Sequence, residues 1–190
     1  MGRGYTLNEK QLTLKARLFD GAAMHRSLVR IAHEITERNR GAGDLVLVGI
    51  VRRGAVLARE IAKHIEYLEG VEVPVGSLDI TVYRDDVRPE DVQPVLHETR
   101  IPFDITGKHV VLVDDVISTG RTVRAAIDAL FRRGRPSTVR LAVLIDRGLR
   151  ELPFKPDFVG KNIPTSHKEV VAVRVEAFDG EDSVSIYTKE

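Results

Sequence analysis

Three short apolar runs, each followed at once by a polar turn, constrain the fold more than any other feature of this chain. The runs cover residues 45–51, 110–113 and 141–145 and are rich in Val, Leu and Ile. Apolar runs of this length, without polar alternation, are typical of strands buried on both faces of a parallel sheet. Helical patterns follow the first two runs, so we predict an α/β fold with a doubly wound, mostly parallel sheet.

Apolar residues recur at spacings of three and four in three stretches, which predicts helices with one buried face. The buried faces consist of Met24, Leu28, Ile31 and Ile35 in the first helix, Leu57, Ile61, Ile65 and Leu68 in the second, and Val123, Ala126, Ile127 and Leu130 in the third. Gly41 and Gly43 are expected to end the first helix. Further strands are predicted over residues 78–83, 170–175 and 184–187, with no separate sheet assigned to them.

Periodicity disappears between Arg84 and Asp104, where charged residues and three prolines dominate. A long stretch without secondary structure is uncommon in a compact domain and is often functional. We therefore predict a flexible lid loop or hairpin over an active site. A plain disordered excursion is the alternative.

The stretch at residues 110–122 carries the clearest functional pattern. Four apolar residues meet the carboxylates of Asp114 and Asp115, a turn rich in Ser, Thr and Gly follows, and then a helix begins. Unpaired backbone N–H groups and the helix dipole favour anion binding at such a turn. Two carboxylates would repel an anion unless they bind something else, such as sugar hydroxyls. The pattern predicts a site for a ribose 5′-phosphate, and an ordinary strand-to-helix turn with an acidic start is the alternative.

The predicted topology gathers polar groups at one edge of the sheet. Ligands of open α/β sheets bind beyond the carboxyl ends of the strands. Three predicted strands end in polar tips, at residues 52–54 (Arg-Arg-Gly), 114–115 (Asp-Asp) and 146–147 (Asp-Arg). Cations and carboxylates should therefore lie together there. A solvated basic turn is the alternative for Arg52 and Arg53.

Composition limits the remaining possibilities. The 190 residues include no cysteine, which excludes disulfides, thiolate metal sites and a cysteine nucleophile. The net charge of +1 means that any nucleic-acid site must be a local patch. The sequence shows no apolar signal core and no apolar run of membrane-spanning length, so we expect a cytoplasmic protein. The length fits one domain over residues 1–190.

The stretch at residues 110–122 resembles the phosphoribosyl pyrophosphate (PRPP) signature of the type I phosphoribosyltransferases. The resemblance implies that Asp114 and Asp115 hold the ribose hydroxyls and that residues 118–122 wrap the 5′-phosphate. In this family the loop after the first strand binds pyrophosphate, a role that carries over to Arg52 and Arg53. Arg84, at the start of the lid, is a candidate second clamp, with a surface salt bridge as the alternative. Mg²⁺, which prefers oxygen ligands, is expected to arrive with PRPP, and no protein metal site is expected.

Further segments resemble one subfamily, the bifunctional pyrimidine-operon attenuation regulators that are also uracil phosphoribosyltransferases, the PyrR family. They cover residues 78–86, 101–108, 120–126, 146–148, 150–153 and 159–166. The resemblance implies that uracil and PRPP give UMP and pyrophosphate, and that the mRNA leader of pyrimidine-biosynthesis genes is bound in response to UMP or UTP. A purine phosphoribosyltransferase and a non-catalytic nucleotide sensor are the alternatives. A homodimer or larger homo-oligomer is expected.

The expected active site combines both resemblances. The predicted catalytic residues are Asp114, Asp115, Arg53 and Arg84. The residues predicted to bind PRPP or UMP are Arg52, Arg53, Asp114, Asp115, Val116, Ile117, Ser118, Thr119, Gly120, Arg121, Thr122, Arg147, Val159 and Lys161. The uracil pocket is implied near residues 159–161.

An RNA surface is implied beside the active site, and the first helix already presents Arg26, Arg30 and His33 on one polar face. By resemblance the RNA-binding residues are Arg30, His33, Arg38, Arg150, Lys155, Lys161 and Thr165. Val29 and Leu149 depart from the family, which often has Thr and His there, and each loses a hydrogen-bonding group. Because phosphate contacts need only cations, base discrimination is the property more affected. Solvated basic faces are the alternative.

Overall fold

The computed structural model describes residues 12–81 and 99–189. Strands and helices alternate through most of these residues. In chain order they are β1 (Leu12–Phe19), α1 (Gly21–Asn39), β2 (Leu45–Ile50), α2 (Arg53–Glu69), β3 (Val75–Leu78), β4 (His109–Ile117), α3 (Arg121–Phe131), β5 (Thr138–Asp146), β6 (Phe158–Asn162), β7 (Glu169–Arg174), α4 (Glu176–Asp179) and β8 (Ser183–Lys189).

The central sheet has five strands in the order β3-β2-β4-β5-β6, and every neighbouring pair is parallel. The predicted α/β fold with a doubly wound, mostly parallel sheet is therefore confirmed. β4 occupies the middle of the sheet, with β2 on one side and β5 on the other. The strand ends that the sequence predicts to be polar thus lie at one edge.

Alternate residues of each central strand pack into two separate cores, one on each face of the sheet. On one face α1 and α2 cover side chains that include Leu47, Val111 and Leu144. On the other face α3 covers side chains that include Val48 and Leu112. Because both faces are buried, these strands need apolar residues at every position, which explains the unbroken apolar runs. Among the described residues, no helix is long and apolar enough to cross a membrane.

A second sheet accounts for the last two predicted strands. β8 pairs antiparallel with both β1 and β7, giving the order β1-β8-β7. The predicted strands at residues 170–175 and 184–187 are thus present but do not extend the parallel sheet. The sequence prediction also missed β1, in which Lys15 and Arg17 interrupt the apolar positions. This sheet carries α4 between β7 and β8, and α4 reaches the candidate site.

Three predicted boundaries differ from the structure. β4 continues through both aspartates to Ile117, because its pairing with β5 extends to that residue. The strand predicted over 78–83 instead ends at Leu78, where its pairing with β2 stops, and the Asp79 carboxylate then accepts a hydrogen bond from the Thr81 N–H (2.8 Å). The first helix ends at Asn39, and Arg40 rather than a glycine adopts the left-handed conformation that follows it.

The predicted lid lies largely outside the described residues, which resume at Thr99. Its last part is attached to β3, because Ser77 and Arg100 exchange two backbone hydrogen bonds of 2.8 Å. Arg84, the candidate clamp on pyrophosphate, also lies outside the described residues. The lid and the Arg84 clamp therefore remain predictions from sequence.

Candidate functional site

The residues predicted to bind a 5′-phosphate surround a small cavity next to the phosphate loop (residues 118–122), which connects β4 to α3. The cavity measures about 70 Å³ and is lined by Asp114, Val116, Ile117, Ser118, Thr119, Gly120, Thr122 and Val123. Val123 was not predicted, and Asp115 and Arg121 are not part of the lining. Gly120 adopts φ 92° immediately before α3 and has no side chain to cap this helix, while the Arg121 N–H donates to Thr119 Oγ1 (3.3 Å). The other N–H groups at the helix N-terminus can serve an anion in the cavity.

The two predicted ribose-binding carboxyls lie side by side in the last part of β4. Asp114 is buried, with 7% of its surface exposed, and Asp115 is half-buried. The Asp115 N–H donates to Asp114 Oδ1 (2.9 Å), and the Val116 N–H donates to Asp115 Oδ1 (2.9 Å). Burial raises the pKa of the Asp115 carboxyl, and a hydrogen bond with Asp114 and the charge of Arg53 oppose that rise. Arg53 is thus close enough to act on this pair.

The arginine turn (residues 52–54) reaches the pair because Gly54 packs directly on β4. The peptide bond between Val51 and Arg52 is cis. A Cβ atom at Gly54 would lie 2.3 Å from the carbonyl oxygen of Val113 and 3.2 Å from Cα of Asp114. Only glycine permits so close an approach between two backbones. The structure therefore brings together the turn and the two carboxylates, as the topology predicts.

Both arginines of this turn contact α4. The sequence patterns predicted neither this short helix nor these contacts. Arg53 binds Asp179 through two atoms, with Nη2 2.9 Å from Oδ1 and Nε 3.2 Å from Oδ2. The guanidinium of Arg52 lies over the Phe178 ring, 4.7 Å from its centroid. Asp179 Oδ2 also accepts a hydrogen bond from the Val175 N–H (2.9 Å). The second sheet thus supplies the partners of both predicted pyrophosphate-binding side chains.

Arg147, another predicted PRPP-binding residue, also turns toward the second sheet. Its Nε donates to Thr165 Oγ1 (2.9 Å), and its Nη2 donates to the carbonyls of Ser166 (3.1 Å) and Glu169 (2.7 Å). Thr165 Oγ1 in turn donates to the Arg147 carbonyl (3.1 Å). Arg147 and Thr165, which the sequence assigned to different sites, therefore form one contact between the end of β5 and the start of β7.

The strand implied to bind uracil is tied to the helix implied to bind RNA. Val159 and Lys161 lie on β6, one of the two edge strands of the central sheet. Arg30 of α1 donates to the backbone carbonyls of Val159 and Gly160 and forms an ion pair with Glu34 (2.9 Å). Lys161 is exposed, and its ammonium lies 5.5 Å from the centroid of the Phe19 ring. Arg30 thus connects two predicted sites directly.

The predicted RNA-binding residues on α1 and on the segment entering β6 lie close together. Arg38 forms an ion pair with Asp157 (3.3 Å) beside a cavity of about 460 Å³ between these elements. His33 and Lys155 are exposed. Glu34, Glu37 and Asp157 interrupt the basic surface. Arg150 departs from the group, because its guanidinium turns inward to the backbone of the phosphate loop.

Within residues 12–81 and 99–189, no cluster of three or more His, Asp or Glu side chains is arranged to hold a metal ion.

Known proteins resemble this chain over nearly its whole length. The phosphoribosyl transferase domain family matches residues 16–177. The chain is 59% identical to "Bifunctional protein PyrR" of Thermus aquaticus over 179 residues, which is 94% of this chain and 99% of that protein. It is also 59% identical to the protein of the same name from Pelotomaculum thermopropionicum, over 90% of this chain and 95% of that protein.

Solved structures share the fold at low sequence identity. The hypoxanthine phosphoribosyltransferase of Trypanosoma cruzi matches with a TM-score of 0.70 and 22% identity, over 93% of this chain and 98% of that one. A hypoxanthine phosphoribosyltransferase from Staphylococcus aureus matches with a TM-score of 0.68 and 18% identity, over 97% of both chains. These structures carry the α/β architecture and say nothing about which base this chain accepts.

Proposed function

The chain belongs to the PyrR family of phosphoribosyltransferases, and we propose that it makes UMP from uracil and PRPP and regulates pyrimidine-biosynthesis genes by binding their mRNA. One observation carries the proposal. At the carboxyl end of β4, Asp114 lines the cavity of the phosphate loop, Asp115 follows it, and Gly54 packs the turn that carries Arg53 against the same strand. This combination suits a sugar that carries a phosphate at one end and a polyanionic leaving group at the other.

PRPP binding divides between backbone and side chains. The 5′-phosphate accepts hydrogen bonds from N–H groups of the phosphate loop and the start of α3. Hydrogen bonds to a charged group of this kind contribute about 1.5–3 kcal/mol each. Asp114 and Asp115 accept hydrogen bonds from the 2′- and 3′-hydroxyls of the ribose. The sugar is thereby held with its C1 atom toward the base and the leaving group.

The reaction needs charge stabilisation more than covalent help. The C1–O bond to pyrophosphate breaks, the bond from C1 to uracil N1 forms, and the N1 proton is released. Positive charge builds on the ribose ring and negative charge on pyrophosphate, which Arg52 and Arg53 stabilise. Arg84 is a further candidate for this role, on the sequence alone. Mg²⁺ would enter with the PRPP substrate and would help to neutralise the charge of the pyrophosphate, since it prefers oxygen ligands.

Uracil binds next to Val159, Gly160 and Lys161 in this proposal. β6 is an edge strand, so one side of its backbone is not used by a neighbouring strand. Backbone N–H and C=O groups can there read the donors and acceptors of a pyrimidine ring. Arg30 holds two carbonyls of this strand, which fixes its backbone beside the base.

RNA binding uses the surface formed by α1, Arg150 and residues 155–165. Its cations bind phosphates, and UMP in the active site is the signal that promotes binding. The proposed RNA-binding residues remain Arg30, His33, Arg38, Arg150, Lys155, Lys161 and Thr165. The acidic side chains between these cations would repel a continuous run of phosphates, so a short RNA segment fits this surface better than a duplex. Single-stranded loops are also the usual targets of proteins that recognise an RNA sequence.

The enzyme is tested by measuring nucleotide formation from PRPP with uracil, hypoxanthine or guanine. We expect uracil to be the preferred base, and greater turnover of a purine would instead establish a purine phosphoribosyltransferase. Asp115→Asn should reduce UMP formation by at least about tenfold, because a contact that positions the ribose is lost. Asp128→Asn, an exposed aspartate on α3, is the control. Unchanged turnover in folded Asp115→Asn would disprove the role assigned to this residue.

The regulator is tested by gel-shift with the pyrimidine leader RNA of the source organism, with and without UMP. We expect UMP to strengthen binding, and we expect the affinity to fall steeply with salt because cations contact phosphates. The absence of any UMP-dependent shift at low salt would reject the RNA role and leave the enzyme standing. UMP binding without UMP formation would point to a non-catalytic nucleotide sensor.

A further inference from the structure

A segment that we call the strap (residues 147–155) runs across the back of the phosphate loop. The Arg147 N–H donates to the carbonyl of Ile117 (3.1 Å), at the point where β4 ends. The N–H groups of Glu151 and Leu152 both donate to the carbonyl of Thr119, each at 2.9 Å. The backbone of the strap therefore holds carbonyl groups at the end of β4 and within the loop.

Arg150 is the side chain that completes this contact. Its Nη1 donates to the carbonyl of Ser118 (2.8 Å), its Nε donates to Phe154 O (2.8 Å), and its Nη2 forms an ion pair with Asp146 Oδ2 (2.6 Å). Only 24% of the side chain is exposed. Leu149, just before it, adopts φ 60°, a conformation that is costly for a residue with a side chain. The chain accepts this strain in the turn that directs Arg150 inward.

The geometry of the peptide bond links these carbonyls to phosphate binding. In a planar trans peptide, the C=O of one residue and the N–H of the next point in opposite directions. Fixing the carbonyls of Ser118 and Thr119 toward the strap therefore directs the N–H groups of Thr119 and Gly120 away from it. The strap contributes no residue to the lining of the cavity, which comes entirely from positions 114–123.

We propose that Arg150 is a positioning residue that orients the phosphate loop for the 5′-phosphate of PRPP and UMP, in addition to any contact with RNA. The proposal rests on the function proposed above. It predicts that Arg150 affects nucleotide binding when no RNA is present. A residue that only contacts RNA would leave RNA-free nucleotide binding unchanged.

The test compares ligands that carry the 5′-phosphate with one that does not. For Arg150→Gln we expect the UMP dissociation constant, measured by calorimetry without RNA, and the KM for PRPP to rise about tenfold, the scale of a lost charged hydrogen bond. The KM for uracil at saturating PRPP should stay within twofold. Arg150→Lys should recover part of the loss, because an ammonium still pairs with Asp146. Arg17→Gln, which removes an exposed arginine paired with Glu181 on the other sheet, is the control.

Each outcome has a distinct meaning. If the wild-type protein neither binds UMP nor forms it, the proposed function fails, whatever the variants do. If the wild type binds UMP and Arg150→Gln binds it equally well, the inference is overturned. A similar rise in both KM values would indicate general damage and would also overturn it. If Arg150→Gln does not fold, Asp146→Asn provides the second test, because it keeps the carbonyl contacts of Arg150 but weakens their anchor, and it should give a smaller loss restricted to UMP and PRPP.

Discussion

The two regions that we propose bind anions, the phosphate loop and the arginine turn, are built differently. The phosphate loop offers backbone N–H groups, and the strap holds its carbonyls in place. The arginine turn offers two side chains, and α4 engages both of them, Arg52 with Phe178 and Arg53 with Asp179. The first region is set before a ligand arrives. The second must exchange a protein partner for the ligand.

This difference matches the reaction proposed for the site. The 5′-phosphate is present in both PRPP and UMP, whereas pyrophosphate has to leave. A fixed cradle suits the group that stays, and exchangeable donors suit the group that departs. A carboxylate and a phosphate present two oxygens to a guanidinium in similar geometry. Asp179 can therefore take over Arg53 as pyrophosphate leaves.

The largest effect should come from separating the arginine turn from β4. In Gly54→Ala the new Cβ would lie 2.3 Å from a backbone oxygen, so the turn has to move away from the carboxylate pair. We expect kcat/KM for PRPP to fall by up to about 100-fold, a loss that a displacement of about 1 Å in an active site can cause. Unfolding in urea should show a stability loss of about 1–3 kcal/mol from overpacking.

The matched control is Gly43→Ala, at an exposed glycine where a Cβ would meet no atom within 4 Å. We expect it to retain wild-type activity and stability. Equal activity in the Gly54 and Gly43 variants would mean that the turn works at a distance from β4. The arginine turn and the phosphate loop would then not act together at the end of β4.

A smaller effect, confined to the arginine turn, should follow from Asp179→Asn. The amide oxygen can still accept the hydrogen bond of the Val175 N–H, but Arg53 loses its charged partner. Because half-exposed ion pairs contribute at most about 1 kcal/mol, we expect pyrophosphate to bind about two- to fivefold more tightly. Calorimetry with magnesium pyrophosphate measures this gain, which should shrink as salt is added.

UMP is the reference ligand for this variant, because it contains no pyrophosphate and its affinity should change less. Weaker binding of pyrophosphate by Asp179→Asn would contradict the exchange. It would show that Asp179 holds Arg53 in the position that the ligand needs.

The two regions also differ in how far sequence could predict them. The phosphate loop, the aspartates before it and the helix after it are consecutive, so their pattern is visible in a single stretch. The contact between Arg53 and Asp179 joins residues 126 positions apart, and that between Arg150 and Ser118 joins residues 32 apart. No local pattern marks such contacts, because they depend on how the two sheets pack. The sequence therefore identified Arg53 and Arg150 as candidate site residues but not the groups that they contact.

The same limit applies to the fold. Buried strands and one-sided helices leave periodic patterns, and the parallel sheet was predicted correctly from them. The pairing partner of a strand leaves no such pattern, so β7 and β8 were recognised as strands without their sheet. β1 was missed because one of its faces is partly exposed and carries charged residues, so its apolar pattern is weak.

The smallest effect we expect concerns stability, at the carboxyl that lies between the two regions. Burial raises the pKa of Asp115 above its unfolded value, so ionisation of this group opposes folding. The stability that the neutral form provides is complete below the unfolded pKa and is lost as pH rises through the folded pKa. Asp115→Asn should therefore be more stable than the wild type at pH 7, and urea unfolding should show the difference shrinking toward about pH 4. A difference that grows on acidification would mean that Arg53 stabilises the Asp115 carboxylate more than burial penalises it. Arg53 would then be held by β4 as well as by α4. It would exchange its protein partners for pyrophosphate less readily than proposed above.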